Sequence, residues 1–301
     1  MPVTRRTIAL LCAALLGLSA CTGDRDPADS SEQPSSAAPE WNTRPESIAA
    51  IGDSITRAFD ACSFLADCPE VSWATGSDED VPSLAQMLLP ASATAGTGEA
   101  GGTGGERQTA GRVWNEAESG AVMADLPEQA RRAAAWDPEL VTVLIGANDA
   151  CTRDLETMTD VPEFRKDFTE SLRIIREEAP EAQVYVASVP DLLRLWSEVR
   201  DEPQAQQAWR FGICPSMLSD PLGDSEEATE RRLAVRERVE EFNAVLAEVC
   251  ATDDLCRYDE GAVFDYPFTA DELSDWDWFH PSRQGQAVLA ELAHERITAT
   301  P

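Results

Sequence analysis

The chain has 301 residues, and its 55 Asp and Glu side chains outnumber its 24 Lys and Arg side chains, which gives a formal net charge of −31. A field of this sign repels phosphate backbones and anionic surfaces, which excludes DNA or RNA binding as a function. The sequence shows no internal repeat, and the part beyond residue 40 is long enough to form one sizeable core.

The first 20 residues are typical of an export signal. Arg5 and Arg6 precede an apolar stretch at residues 8–18, which is too short to span a bilayer. The stretch closes with Leu18-Ser19-Ala20-Cys21, which is similar to a bacterial lipobox. It predicts cleavage before Cys21 and lipidation of that cysteine, which would anchor the protein stably. Ordinary secretion is the alternative, and the paired arginines leave the Sec and twin-arginine export routes both open.

Residues 21–40 are predicted to form a disordered tether. They are mostly Ser, Asp, Pro and Ala, so they cannot bury enough apolar surface to offset the entropy of ordering. Residues 41–301 would then be the folded domain. We therefore expect an extracytoplasmic protein, either held at the cell membrane through Cys21 or secreted.

The first element of the folded domain is a predicted buried strand at residues 47–51, which ends in Gly52-Asp53-Ser54. A helix is predicted from about Thr56. A serine at the C-terminal edge of a parallel strand, beside a helix N-terminus, has backbone N–H donors close to it, so Ser54 is a candidate nucleophile. The alternative is that Asp53 or Ser54 only caps the helix.

The next elements alternate between strands and helices. A helix around residues 84–89 is followed by a Gly-, Thr- and Ala-rich exposed loop at 91–108 and by a strand near Val113. Apolar runs at 140–145 and 184–187 predict further strands, and helical patterns cover residues 164–179 and 233–249. This order predicts an α/β fold, a three-layer α/β/α sandwich with a central parallel sheet and a site at the carboxyl ends of its strands.

Two short segments between these elements could stabilise an oxyanion. At Gly120 the absence of a Cβ would let a backbone N–H approach a substrate oxygen, and Asn148, just after the strand at 140–145, could donate its side-chain amide. By itself the segment Gly146-Ala147-Asn148-Asp149 is more typical of a turn.

The chain has two histidines, of which His280 is the candidate base. It lies in a loop that enters the C-terminal helix, where Asp277 can reach the same imidazole if the loop turns between them. Asp277 could instead cap that helix, although Ser282 is the better cap. His294 is predicted to lie on the polar face of the helix.

These segments, in this order, resemble the four blocks of the SGNH or GDSL-type hydrolases. The neighbours agree as well, since residues 115–121 resemble the glycine block of the family and residues 277–282 resemble its Asp-x-x-His-Pro block. The resemblance implies a flavodoxin-like SGNH fold, a serine esterase without metal or organic cofactor, and five site residues. The implied roles are Ser54 as nucleophile and first oxyanion donor, Gly120 and Asn148 as further oxyanion donors, His280 as base, and Asp277 as the residue that orients it.

The resemblance also implies a substrate class. Residues 71–76 and 126–130 are most similar to the phospholipase B-like branch, which implies hydrolysis of lipid or lysophospholipid esters. A carbohydrate O-acetyl esterase is the alternative, because the family includes both chemistries. A non-catalytic binding lipoprotein would be expected to lack a site residue, and none is lacking. One departure from the family is Arg57-Ala58-Phe59-Asp60, where many members have a glycine, so we expect an altered pocket wall.

Eight cysteines are present; Cys12 would leave with the signal and Cys21 would carry lipid. The other six cysteines are even in number and belong to an exported chain, so we expect disulfides. A zinc site is the alternative, but no Cys-x-x-Cys pair occurs and histidines are few. Six cysteines allow fifteen pairings. Proximity in sequence favours Cys62 with Cys68 and Cys250 with Cys256, which leaves Cys151 with Cys214 as a staple after Asn148. We expect a monomer.

Overall fold

The computed structural model describes residues 40–90 and 112–299. The predicted signal peptide, Cys21, residues 21–39 of the predicted tether and the predicted loop at 91–108 lie outside these ranges.

The centre of the fold is a sheet of five strands, all parallel, in the spatial order β2-β1-β3-β4-β5. The strands are β1 (Ile48–Gly52), β2 (Val113–Asn115), β3 (Leu140–Leu144), β4 (Gln183–Val186) and β5 (Cys256–Tyr258). Every residue of β1, β3 and β4 is buried, which requires cover on both faces of the sheet. The strands predicted at residues 47–51, 140–145 and 184–187 are confirmed within one residue.

Ten α-helices are assigned in the described residues. They are α1 (Leu84–Leu88), α2 (Leu126–Ala134), α3 (Ala147–Ala150), α4 (Val161–Glu178), α5 (Leu192–Val199), α6 (Pro203–Trp209), α7 (Pro215–Leu218), α8 (Glu226–Cys250), α9 (Ala262–Asp265) and α10 (Arg283–Thr298). Helix α4 packs between α2 and α8 on one side of the sheet, and α1 packs against α10 on the other. The predicted three-layer α/β/α sandwich is confirmed. Within the described residues, no helix is both long and apolar enough to cross a bilayer.

The order of the strands determines where a site can form. The chain moves from β1 to β2 on one side, and then returns across β1 to place β3, β4 and β5 on the other side. The segments that leave the carboxyl ends of β1 and β3 therefore diverge and open a crevice between them. Ser54 follows β1, and Asn148 follows β3 on the short helix α3.

The helix predicted from Thr56 is wrong, because residues 54–60 form consecutive turns. The backbones of Ala58 and Asp60 are left-handed, with φ of 52° and 58°, and a right-handed helix cannot continue through such residues. The turns bring Phe59 against His280, with their ring centroids 5.1 Å apart. Neither Asp53 nor Ser54 is therefore a helix cap.

Three disulfides join the cysteines of the described residues, and they follow the pairing that proximity in sequence favours. Cys62 is bonded to Cys68, Cys250 to Cys256, and Cys151 to Cys214. Disulfides of this number are typical of a protein exported from the cytosol.

Candidate active site

The end of β1 has a backbone conformation that only glycine accepts. Gly52 has φ of +148°, and a Cβ at this position would lie 2.1 Å from the carbonyl oxygen of Leu144 on β3. The buried amide of Gln129 on α2 binds both backbone groups of Gly52: its Oε1 accepts the N–H at 2.7 Å and its Nε2 donates to the carbonyl at 2.9 Å. The residue two places before Ser54 is thus fixed by a close approach and two hydrogen bonds.

Ser54, His280 and Asp277 are brought together from the two ends of the domain. Ser54 Oγ lies 2.8 Å from His280 Nε2, and His280 Nδ1 lies 2.5 Å from Asp277 Oδ2. All three side chains are largely buried, but the imidazole keeps 13% of its surface exposed at the cleft described below. In the tautomer with Nδ1 protonated, Nε2 is free to accept the hydroxyl proton of Ser54.

The loop that carries His280 turns between Asp277 and His280, so that Asp277 can reach the imidazole. Asp277 Oδ1 accepts hydrogen bonds from the backbone N–H groups of Phe279 at 2.9 Å and His280 at 3.0 Å. Trp278 between them is left-handed, with φ of 55°. Ser282 caps α10 by accepting the N–H of Gly285, so Asp277 is left to the imidazole rather than to the helix.

The three candidate oxyanion donors also lie at this end of the sheet. Asn148 Nδ2 donates one hydrogen to the carbonyl of Ala121 at 2.9 Å, which orients the amide and leaves its second hydrogen available. Gly120 has φ of +86°, and a Cβ there would meet no described atom within 4 Å, so the residue borders open space. The N–H groups of Ser54 and Gly120 donate to no other described residue.

Two buried carboxyls lie next to these groups and are absent from the predicted site. Burial raises the pKa of Asp53 to about 7, with a further increase from the charge of Asp149 and a decrease from the nearby His280. Asp53 Oδ1 accepts the N–H of Ile55 at 2.9 Å, and its buried Oδ2 has no partner among the described residues. Burial also raises the pKa of Asp149 to about 6.

Asp149 has a visible positioning role. Its two carboxylate oxygens accept the backbone N–H of Met123, at 3.2 Å and 2.9 Å. Met123 lies two residues after Ala121, which holds the amide of Asn148. A single buried carboxyl thus fixes the segment that carries Gly120 to the helix that carries Asn148.

A cleft of about 790 Å³ opens beside His280 and Asn148. Its walls are mainly apolar and include the aromatic rings of Phe59, Trp278 and Phe279. Phe59 comes from the segment that departs from the family pattern, so the altered wall expected there is an aromatic ring packed against the imidazole. The Cys151–Cys214 disulfide also lines the cleft, directly after α3.

One cluster in the described residues is composed of side chains of metal-binding type. In residues 40–90 and 112–299 the one close group of three side chains of metal-binding type is Cys62, Cys68 and Glu70. The two sulfurs are bonded to each other, so they are not available as thiolate ligands.

Two glutamines that support the site were not predicted from the sequence. Gln129 binds Gly52, and Gln286 on α10 accepts the N–H of Trp73 at 2.8 Å and donates to the carbonyl of Ile55 at 2.9 Å. Both are buried and stand on the apolar faces of their helices, where neighbours at helical spacing are hydrophobic. A polar residue at an apolar-face position is the signal that could have revealed them.

Comparison with known proteins identifies the family of the chain. Residues 48–293 match the family of GDSL-like lipases and acylhydrolases, so the chain belongs to this family. It is an ester-hydrolysing enzyme. A search of curated proteins found no match.

Several solved structures resemble the chain at low identity. The extracellular lipase of Streptomyces rimosus is 16% identical, with 82% of this chain and 99% of that chain covered and a TM-score of 0.46. Phospholipase A1 of Streptomyces albidoflavus is 18% identical, with 85% and 100% covered and a TM-score of 0.46. The family 3 carbohydrate esterase of Clostridium thermocellum is 14% identical, with 83% and 94% covered and a TM-score of 0.45. None of these likenesses identifies the substrate of this chain.

Proposed function

We propose that Ser54, His280 and Asp277 form a catalytic triad that hydrolyses carboxylic esters through an acyl-enzyme. The observation that carries the proposal is the continuous hydrogen-bonded series from Ser54 Oγ to His280 Nε2 and from His280 Nδ1 to Asp277 Oδ2. A serine hydroxyl needs such a base to become a nucleophile at neutral pH.

In the first half-reaction Ser54 Oγ attacks the ester carbonyl while His280 Nε2 takes the hydroxyl proton. Asp277 holds the imidazole in place and stabilises the imidazolium that forms. The N–H groups of Ser54 and Gly120 and the free amide hydrogen of Asn148 donate to the oxyanion. His280 then protonates the departing alcohol, and water repeats the same steps on the acyl-enzyme. This mechanism uses no metal or organic cofactor.

We propose a lipid or lysophospholipid ester as the substrate, in line with a phospholipase B-like member of the family. The support is the cleft beside His280, whose aromatic and aliphatic walls suit a hydrocarbon chain. A carbohydrate acetyl ester would rely on the polar residues of the lining for its hydroxyl groups, and these residues are outnumbered by apolar ones.

The proposed setting is the outer side of the cell membrane. Residues 1–20 would direct export, Cys21 would carry the lipid anchor, and residues 21–40 would connect the anchor to the domain at 41–301. The three disulfides agree with an oxidising compartment. We propose that the enzyme works as a monomer, since one chain supplies every member of the site.

Hydrolysis of defined esters tests the function. The full chain and its Ser54→Ala variant are compared on p-nitrophenyl esters from acetate to palmitate, on a lysophospholipid and on acetylated xylan. We expect Ser54-dependent turnover that favours long chains and the lysophospholipid. A preference for acetate or xylan would identify a carbohydrate O-acetyl esterase, and the absence of Ser54-dependent turnover on every ester would contradict catalysis at this site.

A further inference from the structure

Large apolar side chains are exposed at the mouth of the cleft. Six large hydrophobic residues are well exposed within the described part of the chain, and four of them line this one cleft. These four are Phe64 (57% exposed), Leu65 (66%), Phe211 (85%) and Trp276 (50%), and we call them the apolar rim. The other two, Leu222 and Leu233, do not line it. Exposed apolar residues gathered in one place indicate an interaction surface, whereas scattered ones do not.

The first side of the rim is held by a disulfide. Phe64 and Leu65 lie inside the short loop closed by Cys62 and Cys68. The backbone N–H of Leu65 donates to the carboxylate of Asp60, which helps to fix the loop. The ring of Phe64 packs against Trp276, with centroids 5.6 Å apart, so these parts of the rim are continuous.

The second side of the rim, at Phe211, lies between a contact with the active site and a second disulfide. Trp209 donates its indole N–H to the carbonyl of Asp277 at 3.1 Å, and Phe211 follows two residues later. Cys214, just beyond it, is bonded to Cys151. Because both sides are fixed before any partner arrives, little conformational entropy would be lost when the rim binds.

The position of the rim favours an extended apolar phase as its partner. Its four side chains are half to largely exposed although they border the cleft, so a small ligand held inside the cleft would leave much of their surface in water. A lipid surface placed across the mouth would cover them all at once, and it would present ester groups directly to the cleft beside His280.

Charge determines which lipid surface fits. The charged residues of the cleft lining are Asp60, Asp275 and Asp277, and no Lys or Arg occurs among the described residues that form it. The whole chain carries −31. Anionic headgroups are therefore repelled, whereas zwitterionic or uncharged headgroups are not.

We propose that the apolar rim docks the enzyme on the surface of a lipid aggregate with zwitterionic or uncharged headgroups. The ester then enters the cleft from the lipid phase rather than from solution. This inference rests on the proposed function, because it takes the substrate of Ser54 to be a lipid ester.

A kinetic comparison tests the docking. The variant Leu65→Ser with Phe211→Ser is compared, as the full chain, with a matched control, Leu222→Ser with Leu233→Ser, which also removes two exposed apolar side chains. For each protein the rate on a long-chain ester dispersed in phosphatidylcholine vesicles is divided by the rate on monomeric p-nitrophenyl butyrate. We expect the ratio to fall by at least about tenfold in the rim variant and to stay near wild type in the control. Equal ratios in the two variants would overturn the proposal.

A binding measurement separates this inference from the proposed function. In a Ser54→Ala background, tryptophan fluorescence is recorded with vesicles of brominated phosphatidylcholine, where quenching reports contact of the tryptophans, Trp276 of the rim among them, with the acyl chains. The segment before residue 40 is the same in every variant, so the comparison between rim and control variants isolates the rim. We expect strong quenching that is lost in the rim variant only, and weak quenching by brominated phosphatidylglycerol. Quenching that is independent of the rim would overturn docking even if the enzyme hydrolyses lipid, and rim-dependent quenching without turnover would leave docking intact while the proposed function fails.

Discussion

The buried carboxyl of Asp53 should make the stability of the protein depend on pH. Its pKa is raised from 3.8 to about 7, mainly by burial. Below about pH 4 the carboxyl is protonated in both the native and the unfolded chain. Between about pH 4 and pH 7 the native state keeps a proton that the unfolded chain has released, so the free energy of unfolding decreases as the pH rises. Above about pH 7 both states are ionised and this dependence ends.

The raised pKa sets the size of the effect. At about 1.4 kcal/mol per pH unit, a pKa that moves from 3.8 to about 7 corresponds to about 4 kcal/mol of stability lost between pH 4 and pH 8. Asp53→Asn removes this titration. The amide keeps an oxygen that can accept the N–H of Ile55, and it replaces a carboxylate oxygen that has no partner among the described residues. Any constant cost of the substitution therefore leaves the pH dependence of the difference unchanged.

The assay is urea unfolding of wild type and Asp53→Asn, followed by circular dichroism from pH 4.5 to pH 8.5. The variant should gain about 3 kcal/mol of stability relative to wild type across this range, because a part of the effect already occurs below pH 4.5. Asp149 titrates in both proteins, so its own contribution largely cancels in the difference. Asp224→Asn, at an exposed loop position, is the control and should run parallel to wild type. If the free energy of unfolding of Asp53→Asn changes with pH in parallel with that of wild type, the Asp53 carboxyl does not have the raised pKa on which this prediction rests.

Other contacts of the site give further predictions. Gln129→Ala leaves the buried N–H of Gly52 without its partner, whereas the Gly52 carbonyl still accepts the N–H of Glu118, and should lower the free energy of unfolding by about 1–3 kcal/mol, measured by denaturant unfolding; a loss below about 0.5 kcal/mol would contradict the role of the amide. Asn148→Ala removes one oxyanion donor and should lower kcat by about a hundred- to a thousandfold with little change in KM, and a change confined to KM would count against that role. Replacing Cys151 and Cys214 by serine opens a bridge between residues 63 apart in sequence and should cost about 4 kcal/mol in the same unfolding assay. Stability equal to wild type would show that the bridge does not constrain the unfolded chain.

The proposed reacting groups could be found in the sequence because each lies in a short local pattern. Ser54 ends an apolar strand, Asn148 follows another, and Asp277 and His280 are three residues apart. The strand at residues 140–145 was predictable for a related reason, since burial on both faces leaves a continuous run of β-branched and aliphatic residues. These patterns depend on neighbours in sequence, so no knowledge of the fold was needed.

The supporting residues could not be found in this way because their partners are distant in sequence. Gln129 binds a residue 77 positions away, and Gln286 binds one 213 positions away. The wrong helix after Thr56 has a similar cause. Nothing in the composition of residues 57–60 marks the left-handed backbone of Ala58 and Asp60, which is stabilised by contacts with other parts of the chain. The walls of the cleft are also built from separate loops, and only the fold brings them together.

The most direct test of the central claim is a double-mutant cycle on Ser54 and His280. Turnover of a p-nitrophenyl ester is measured for wild type, Ser54→Ala, His280→Ala and the double variant. If the two side chains act as one catalytic unit, each single replacement should lower kcat by about a millionfold, and the double variant should be no slower than either. Losses that multiply in the double variant, or a Ser54→Ala enzyme that keeps most of its activity, would contradict the account.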